Sequence, residues 1–322
     1  MSPRRLLDIT LGTALAVVTL VSAVNWQVDP FGLFGRNTAG FYFRSERDIK
    51  QGLLAVREYD GLLMGSSKVA EYHPSLISSY RVLNASWSAA LPEEMFYFLR
   101  DREPRPGFIA LGLDFYMFNV RAFPWVDRSV FGRWAPARVA THLASLRMLG
   151  YSLEAVALTR RGEPPEVLPD GARNTARREP GDAGRRVVLE TTLSALRALH
   201  YTDYAYATRR LAALRQIRAW SEAACVPLVV FINPAHVAVV DLIRQQGLEG
   251  EWRRFRADVR SVFPDVVDLS DSPYTAPRFY WRSDPDHYYP STATRIFERE
   301  LAPRIAGLRR TAPFRCANTR GG

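Results

Sequence analysis

Gly61-Leu-Leu-Met-Gly-Ser-Ser-Lys-Val69 is the stretch on which the fold turns. Its apolar run is too short for a helix and ends in a glycine followed by two hydroxyls, the pattern of a buried strand leading into a sharp turn. Four more short runs of the same kind follow: Arg81–Asn84, Phe108–Leu113, Pro227–Ile232 and Val266–Leu269. Between and after them lie helical patterns near Pro92–Arg100, Ala137–Leu149, Asp203–Ala224, Glu251–Phe263 and Ser291–Ile305. Strands alternating with helices predict right-handed βαβ units, hence an α/β fold with a mostly parallel five-stranded sheet and helices on both faces. Active sites in such sheets gather at the carboxyl ends of the strands, which directs attention to the residues just after each run.

Upstream, Arg4 and Arg5 precede a run from Ile9 to Val28 that carries no charge and is long enough to cross a bilayer. Positive charge on the amino side predicts one N-in transmembrane helix over 1–28, in the inner or cytoplasmic membrane, with everything after it in the periplasm or extracytoplasmic space. Val21-Ser-Ala23 keeps a cleavable signal segment open as the alternative. Asp29-Pro-Phe-Gly-Leu-Phe-Gly35 is turn-rich and leads out of the membrane. The span 29–306 is then expected to form one α/β domain. Gly162–Gly184, with four Pro and four Gly, interrupts it as a surface loop or insertion, and 307–322 follows as a basic flexible tail.

The 322 residues, 47% of them hydrophobic, exclude a disordered or fibrous chain and need no metal or disulfide to hold a core. Net charge is +10, and 41 of the 43 basic residues are arginine, Lys50 and Lys68 being the exceptions. The arginines are scattered and often sit beside acids, as in Arg44-Ser-Glu-Arg-Asp48, which argues against nucleic acid and for a surface facing anionic lipids or acidic glycans. Of the two cysteines, Cys225 ends a helical pattern and Cys316 lies in the polar tail, a placement that argues against a bridge.

The serine turn becomes chemically informative together with Asp284-Pro-Asp-His287, which sits in an aromatic loop before the last helix. A serine nucleophile needs a base, and the base needs an acceptor to fix its tautomer. Ser67, at what should be the start of a helix, is the candidate nucleophile, His287 its base and Asp284 the orienter. A helix starting there would add unpaired N–H groups and a positive dipole end for developing negative charge. His236, in Asn233-Pro-Ala-His236 after the fourth strand, is a candidate substrate contact. Lys68 reads as a first-turn surface or substrate-facing cation. His73, His142 and His200 show no ligand spacing, so neither a metal nor a cofactor is expected. Phe279-Tyr-Trp281 and Tyr288-Tyr289 offer aromatic faces for sugar rings or for packing.

Taken in order, Gly65-Ser66-Ser67, Asn84-Ala-Ser-Trp-Ser88, Gly112-Leu-Asp114 and Asp284-x-x-His287 resemble the blocks of the SGNH/GDSL hydrolase superfamily. More narrowly, the apolar helix followed by Asp29-Pro-Phe-Gly32 resembles the anchored members that O-acetylate alginate or D-alanylate teichoic acid. The resemblance spans about 25–305. It implies a flavodoxin-like three-layer αβα sandwich, the triad Ser67, His287 and Asp284, and serine-dependent acyl transfer on an envelope or exported polysaccharide, with a membrane-embedded acyl donor as partner. A carbohydrate esterase with the same triad, or a silent polysaccharide-binding or assembly protein of the same fold, are the alternatives. Superfamily members complete an oxyanion hole with a Gly in the second block and an Asn in the third. Here Ser86 and Ser88 within Ala85–Ala89, and Asp114, occupy those places, and an ionised carboxylate cannot donate a hydrogen bond.

Overall fold

The computed structural model describes residues 2–43, 45–100, 105–126, 136–176 and 185–309. They fall into two compact units, Met1–Arg57 with Gly132–Pro169, and Glu58–Phe131 with Asp170–Gly322. The single domain expected over 29–306 is thus drawn from both.

The second unit holds the sheet. Strands β1 (Gly61–Met64), β2 (Val82–Asn84), β3 (Ile109–Leu113), β4 (Leu228–Ile232) and β5 (Val267–Asp268) form one parallel sheet in the order β2-β1-β3-β4-β5. All five lie where the apolar runs predicted them. Each residue of β1 and β3 is buried, as a sheet covered on both faces requires. One face carries Leu63, Ala110, Val229 and Phe231 against Ala293, Ile296, Phe297 and Leu301 from the last helical stretch. That stretch begins as α10 (Pro290–Ile296), passes through a π-helical turn over Phe297–Leu301 and stays helical through 309, so Gly307 belongs to a helix; 310–322 lie outside the described residues.

The other helices of this unit are α3 (Pro92–Arg100), α6 (Arg185–Leu196), α7 (Arg209–Ala224), α8 (Val237–Gln245) and α9 (Glu249–Val262). Asp203 stands before α7 in the left-handed conformation at φ 51°, which is why the helical pattern starting there begins only at Arg209. Cys225, which closes α7, is disulfide-bonded, correcting the expectation of an unbridged thiol; the chain's other cysteine, Cys316, lies outside the described residues. The 162–184 stretch is not all surface loop. Ala172 is fully buried, and the Arg173 N–H donates to the Ala70 carbonyl at 2.9 Å, while 177–184 lie outside the described residues.

Two local expectations fail. No α-helix starts at the serine turn; two 3₁₀ turns, Val69–Glu71 and Pro74–Leu76, follow it. The chain is already extended at Tyr72 (ψ 113°), and Pro74, which holds His73 extended (ψ 107°), bars a helix from resuming through it. Nor is Asp284–Tyr288 a loop. It is strand β7, paired antiparallel with β6 (Tyr280–Trp281) in a two-stranded hairpin.

The first unit contains α1 (Pro3–Val28), α2 (Glu46–Val56), α4 (Pro136–Leu143) and α5 (Leu146–Arg160). The Ala137–Leu149 pattern is two helices, because Ser145 turns extended and caps α5 by accepting from the Met148 N–H at 3.3 Å. Helix α1 is 26 residues long and apolar enough to cross a membrane. Asp29 ends it in the left-handed conformation and turns its carboxylate onto the Leu33, Phe34 and Arg36 N–H groups at 2.7, 3.1 and 3.0 Å. That is the physical role of Asp29-Pro-Phe-Gly32: one buried side chain satisfies the backbone of the chain leaving the helix.

Glycine is required where β3 ends. A methyl group on Gly112 would sit 2.5 Å from Val69 Cγ2 and 2.7 Å from the Phe231 ring. Gly112→Ala is therefore expected to cost about 1–3 kcal/mol in thermal unfolding, the usual penalty of overpacking. With Val69→Ala added, the double variant should lose less than the sum of the two singles; strict additivity would show that the two side chains do not compete for the space.

Candidate active site

The site is assembled where β1, β3 and β4 end and the β6–β7 hairpin meets them. Gly65 leaves β1 so close to Val69 and to the Gly112 carbonyl that no side chain fits there. The two serines that follow divide the work. Ser66 is fully buried; its Oγ donates to Asp114 Oδ2 at 2.5 Å and accepts the Lys68 N–H at 3.1 Å, so it is a turn residue. Ser67 is half-buried.

His287 and Asp284 come together as expected, with Nδ1 2.8 Å from Asp284 Oδ2. The carboxylate can only accept, so Nδ1 carries a proton, and in the neutral ring Nε2 has the lone pair. Nε2 is buried and has no hydrogen-bond partner among the described residues, Ser67 included. Of the expected triad, the Asp284–His287 contact is present and a Ser67–His287 hydrogen bond is not.

Between the two halves lies a charge cluster that the sequence did not announce. Lys68 is buried, not a surface cation; its Nζ lies 3.3 Å from Asp114 Oδ1 and 3.3 Å from Asp286 Oδ1. Burial alone would pull the ammonium down, but Asp286 and Asp114 hold it well above the usual lysine value. Burial pushes the Asp286 carboxyl up, and the Lys68 ammonium outweighs this and holds it well below the usual carboxylate value. Asn233, just past β4, donates to Asp114 Oδ2 at 3.2 Å and accepts the Tyr288 hydroxyl at 2.9 Å. Asp114 thus faces Ser66, Lys68 and Asn233.

The remaining candidates serve the backbone. Ser86 Oγ donates to the Leu63 carbonyl, and its N–H is taken by Asn84 Oδ1. The neighbouring N–H groups of Ala85 and Trp87 are spent on Leu63 and Gly65 carbonyls. Ser88 Oγ accepts from Arg173 at 2.6 Å. His236 caps α8, its Nδ1 accepting the Ala238 N–H at 3.0 Å, and its ring stands edge-on to Tyr280. Burial lowers its pKa, which suits a neutral cap. Of the aromatics, Phe279, Tyr280 and Tyr288 are core, whereas Trp281 and Tyr289 are half-buried and face each other at 4.6 Å. Among the described residues no group of three or more His, Cys, Asp or Glu is placed to hold a metal ion. A cavity of about 730 Å³ against Pro227, Leu228, Phe263 and Leu308, at the amino ends of β4 and β5, includes none of these side chains. Compared with known proteins, the chain matches no family model and no curated protein.

Sequence reasoning missed Lys68, Asp286 and Asn233. A signal existed for the first, the rarity of lysine in an arginine-rich chain, and the structure buries both Lys50 and Lys68.

The cluster has measurable consequences. Lys68→Met leaves two buried carboxylates facing each other and is expected to cost about 3–5 kcal/mol by denaturant unfolding. Asp286, with its depressed pKa, contributes stability that is complete above the ordinary carboxylate value, near 4, and is lost as pH falls through its folded value. The stability gap between wild type and Asp286→Asn should therefore be flat from about pH 5 to 9 and shrink below about pH 4. A gap that grows on acidification would contradict the ion pair.

Proposed function

We propose that this is a membrane-anchored, extracytoplasmic, SGNH-like enzyme that transfers acyl groups on an envelope or exported polysaccharide through an acyl-Ser67 intermediate. The observation that carries the reading is the His287–Asp284 pair with its free Nε2, held beside the serine turn by the Lys68–Asp286 ion pair. That ion pair joins the chain neighbour of Ser67 to the chain neighbour of His287. The strand order β2-β1-β3-β4-β5 is that of flavodoxin-like sheets, which supports the three-layer sandwich. Helix α1 supports anchoring. Val21 and Asn25, on either side of the candidate cleavage site, are buried against the rest of their unit, which favours an uncleaved helix. The disulfide at Cys225 fits an oxidising compartment.

In the first half-reaction the Ser67 oxygen attacks the acyl carbonyl carbon while its proton passes to His287 Nε2. The donor oxygen leaves with that proton and Ser67 holds the ester. In the second, a sugar hydroxyl, or water in an esterase, gives its proton to Nε2 as its oxygen attacks. The proton then returns to Ser67 as the acyl group departs. Asp284 steadies the imidazolium in both halves. A hydrogen bond between nucleophile and base often tightens only with substrate present, so its absence in the free site is compatible with this chemistry.

A second reading, a silent polysaccharide-binding or assembly protein, is favoured by one observation: the Ala85, Ser86 and Trp87 N–H groups are committed and cannot help to build an oxyanion hole.

A serine-directed phosphonate separates the two. The folded wild type should be labelled, and Ser67→Ala should abolish labelling. Asp284→Asn should slow turnover of an acylated sugar by about 10⁴-fold. Ser66→Ala should keep the label while losing about 1–3 kcal/mol of stability, because Asp114 loses a buried partner. No label on folded wild type would sink the enzyme. Free acid or acylated acceptor, scored on the same sugar, separates esterase from transferase.

A further inference from the structure

In the first unit, helix α5 is apolar on two adjoining faces. Met148, Ser152 and Ala155 are buried. Roughly a third of a turn around the helix, Leu146 and Leu153 stand 71% and 58% exposed, with half-buried Leu149 and Val156 between them and the buried face. The spacing 146, 149, 153, 156 is one continuous stripe of a helix. A stripe of leucine open to water calls for a cover.

What covers it follows from where α5 is fastened. Asn25 of α1 is 1% exposed; its amide donates to the Leu143 and Ser145 carbonyls at 2.7 and 3.1 Å and accepts the Ser152 hydroxyl at 2.9 Å. Val21, one helical turn earlier, is the other buried residue of α1. Both belong to the uncharged run Ile9–Val28, which by length fills the hydrocarbon layer. Val21 lies about 10 Å along the axis from Val28 at the usual helical rise. A helix clasped at Asn25 is therefore level with the outer margin of the bilayer. Arg147, Arg160 and Arg161, at the two ends of α5, are exposed, where anionic headgroups would meet them.

We propose that α5 is a second membrane contact, an interfacial helix that seats its Leu146–Leu149–Leu153 stripe in the leaflet into which α1 emerges. Asn25 is the clasp that sets its depth. The proposal rests on the reading that α1 crosses the membrane, and it adds a lipid-facing surface to the folded part of the chain.

The test uses the full chain reconstituted into vesicles of phosphatidylcholine and phosphatidylglycerol. A bimane probe is attached in turn to Leu153→Cys, Leu146→Cys and, within α1, Leu15→Cys. Nitroxide lipids carry the quencher either near the headgroups or near the bilayer midplane. Cys225 is disulfide-bonded, so the introduced thiol is the one to be labelled. The Leu15 probe should be quenched best from the midplane. The Leu153 and Leu146 probes should be quenched best from the headgroup region, several-fold more than from the midplane, and little by iodide. If iodide quenches both α5 probes and lipid nitroxides do not, while Leu15 still responds to the midplane quencher, the interfacial helix is refuted and the anchor stands. Probes shielded from iodide and lipid alike would mean a protein cover, such as a second copy, and would also refute it. A Leu15 probe untouched by lipid quenchers would overturn the anchor and the proposal together.

Discussion

Lys68 between Asp114 and Asp286 is the constraint on which the site depends. Three charges are taken out of water there, and their mutual attraction roughly offsets desolvation, so the cluster is better understood as a fixing device than as a source of net stability. Each partner comes from a different piece of chain. Lys68 follows β1, Asp114 follows β3, and Asp286 belongs to the hairpin that closes over the strand ends. Asn233 extends the same network to β4 and, through the Tyr288 hydroxyl, back to the hairpin. A two-stranded hairpin is marginal on its own; here it is held by one ion pair, one hydrogen-bonded tyrosine and the packing of Tyr280 and Tyr288 in the core. Its position, and with it that of His287, is set by residues that need not touch a substrate.

The two acids of Asp284-Pro-Asp-His287 show how environment assigns roles. Asp284 is 26% exposed and turned to the imidazole; Asp286 is 8% exposed and turned to Lys68. The sequence allowed the Asp–His pair to be read, because three residues is a local distance. It gave no means of pairing Asp286 with a lysine more than two hundred positions earlier, since such partners are chosen only when the sheet is assembled. The same limit explains Asp114. Read by itself it looked like a carboxylate in a place meant for a donor; in the structure the charge faces Lys68 and two donors.

The strands were legible because a strand buried on both faces is a short, nearly unbroken apolar run bounded by small or polar residues. The helical expectation after β1 failed because the chain turns extended at Tyr72 and Pro74 then holds His73 extended. Strand β7 was missed for a related reason. A five-residue run containing a proline and two acids has no apolar alternation, and it becomes a strand because its partner Tyr280–Trp281 and the Lys68 site below it hold it extended. In both places tertiary context or a breaker outweighed local pattern.

Asn25 plays in the first unit the part that Lys68 plays in the second. By composition it was one polar residue in a run otherwise suited to lipid, and the run as a whole decided the reading. A buried amide is tolerated only if its donors and acceptor are satisfied, and Asn25 finds partners at the α4–α5 junction and in α5. The need to satisfy one side chain therefore determines which helix lies against α1 and at what height. A helix fixed in that way follows from the same rule that ties Asp114 and Asp286 to Lys68: away from water every polar group must find its partner within the protein.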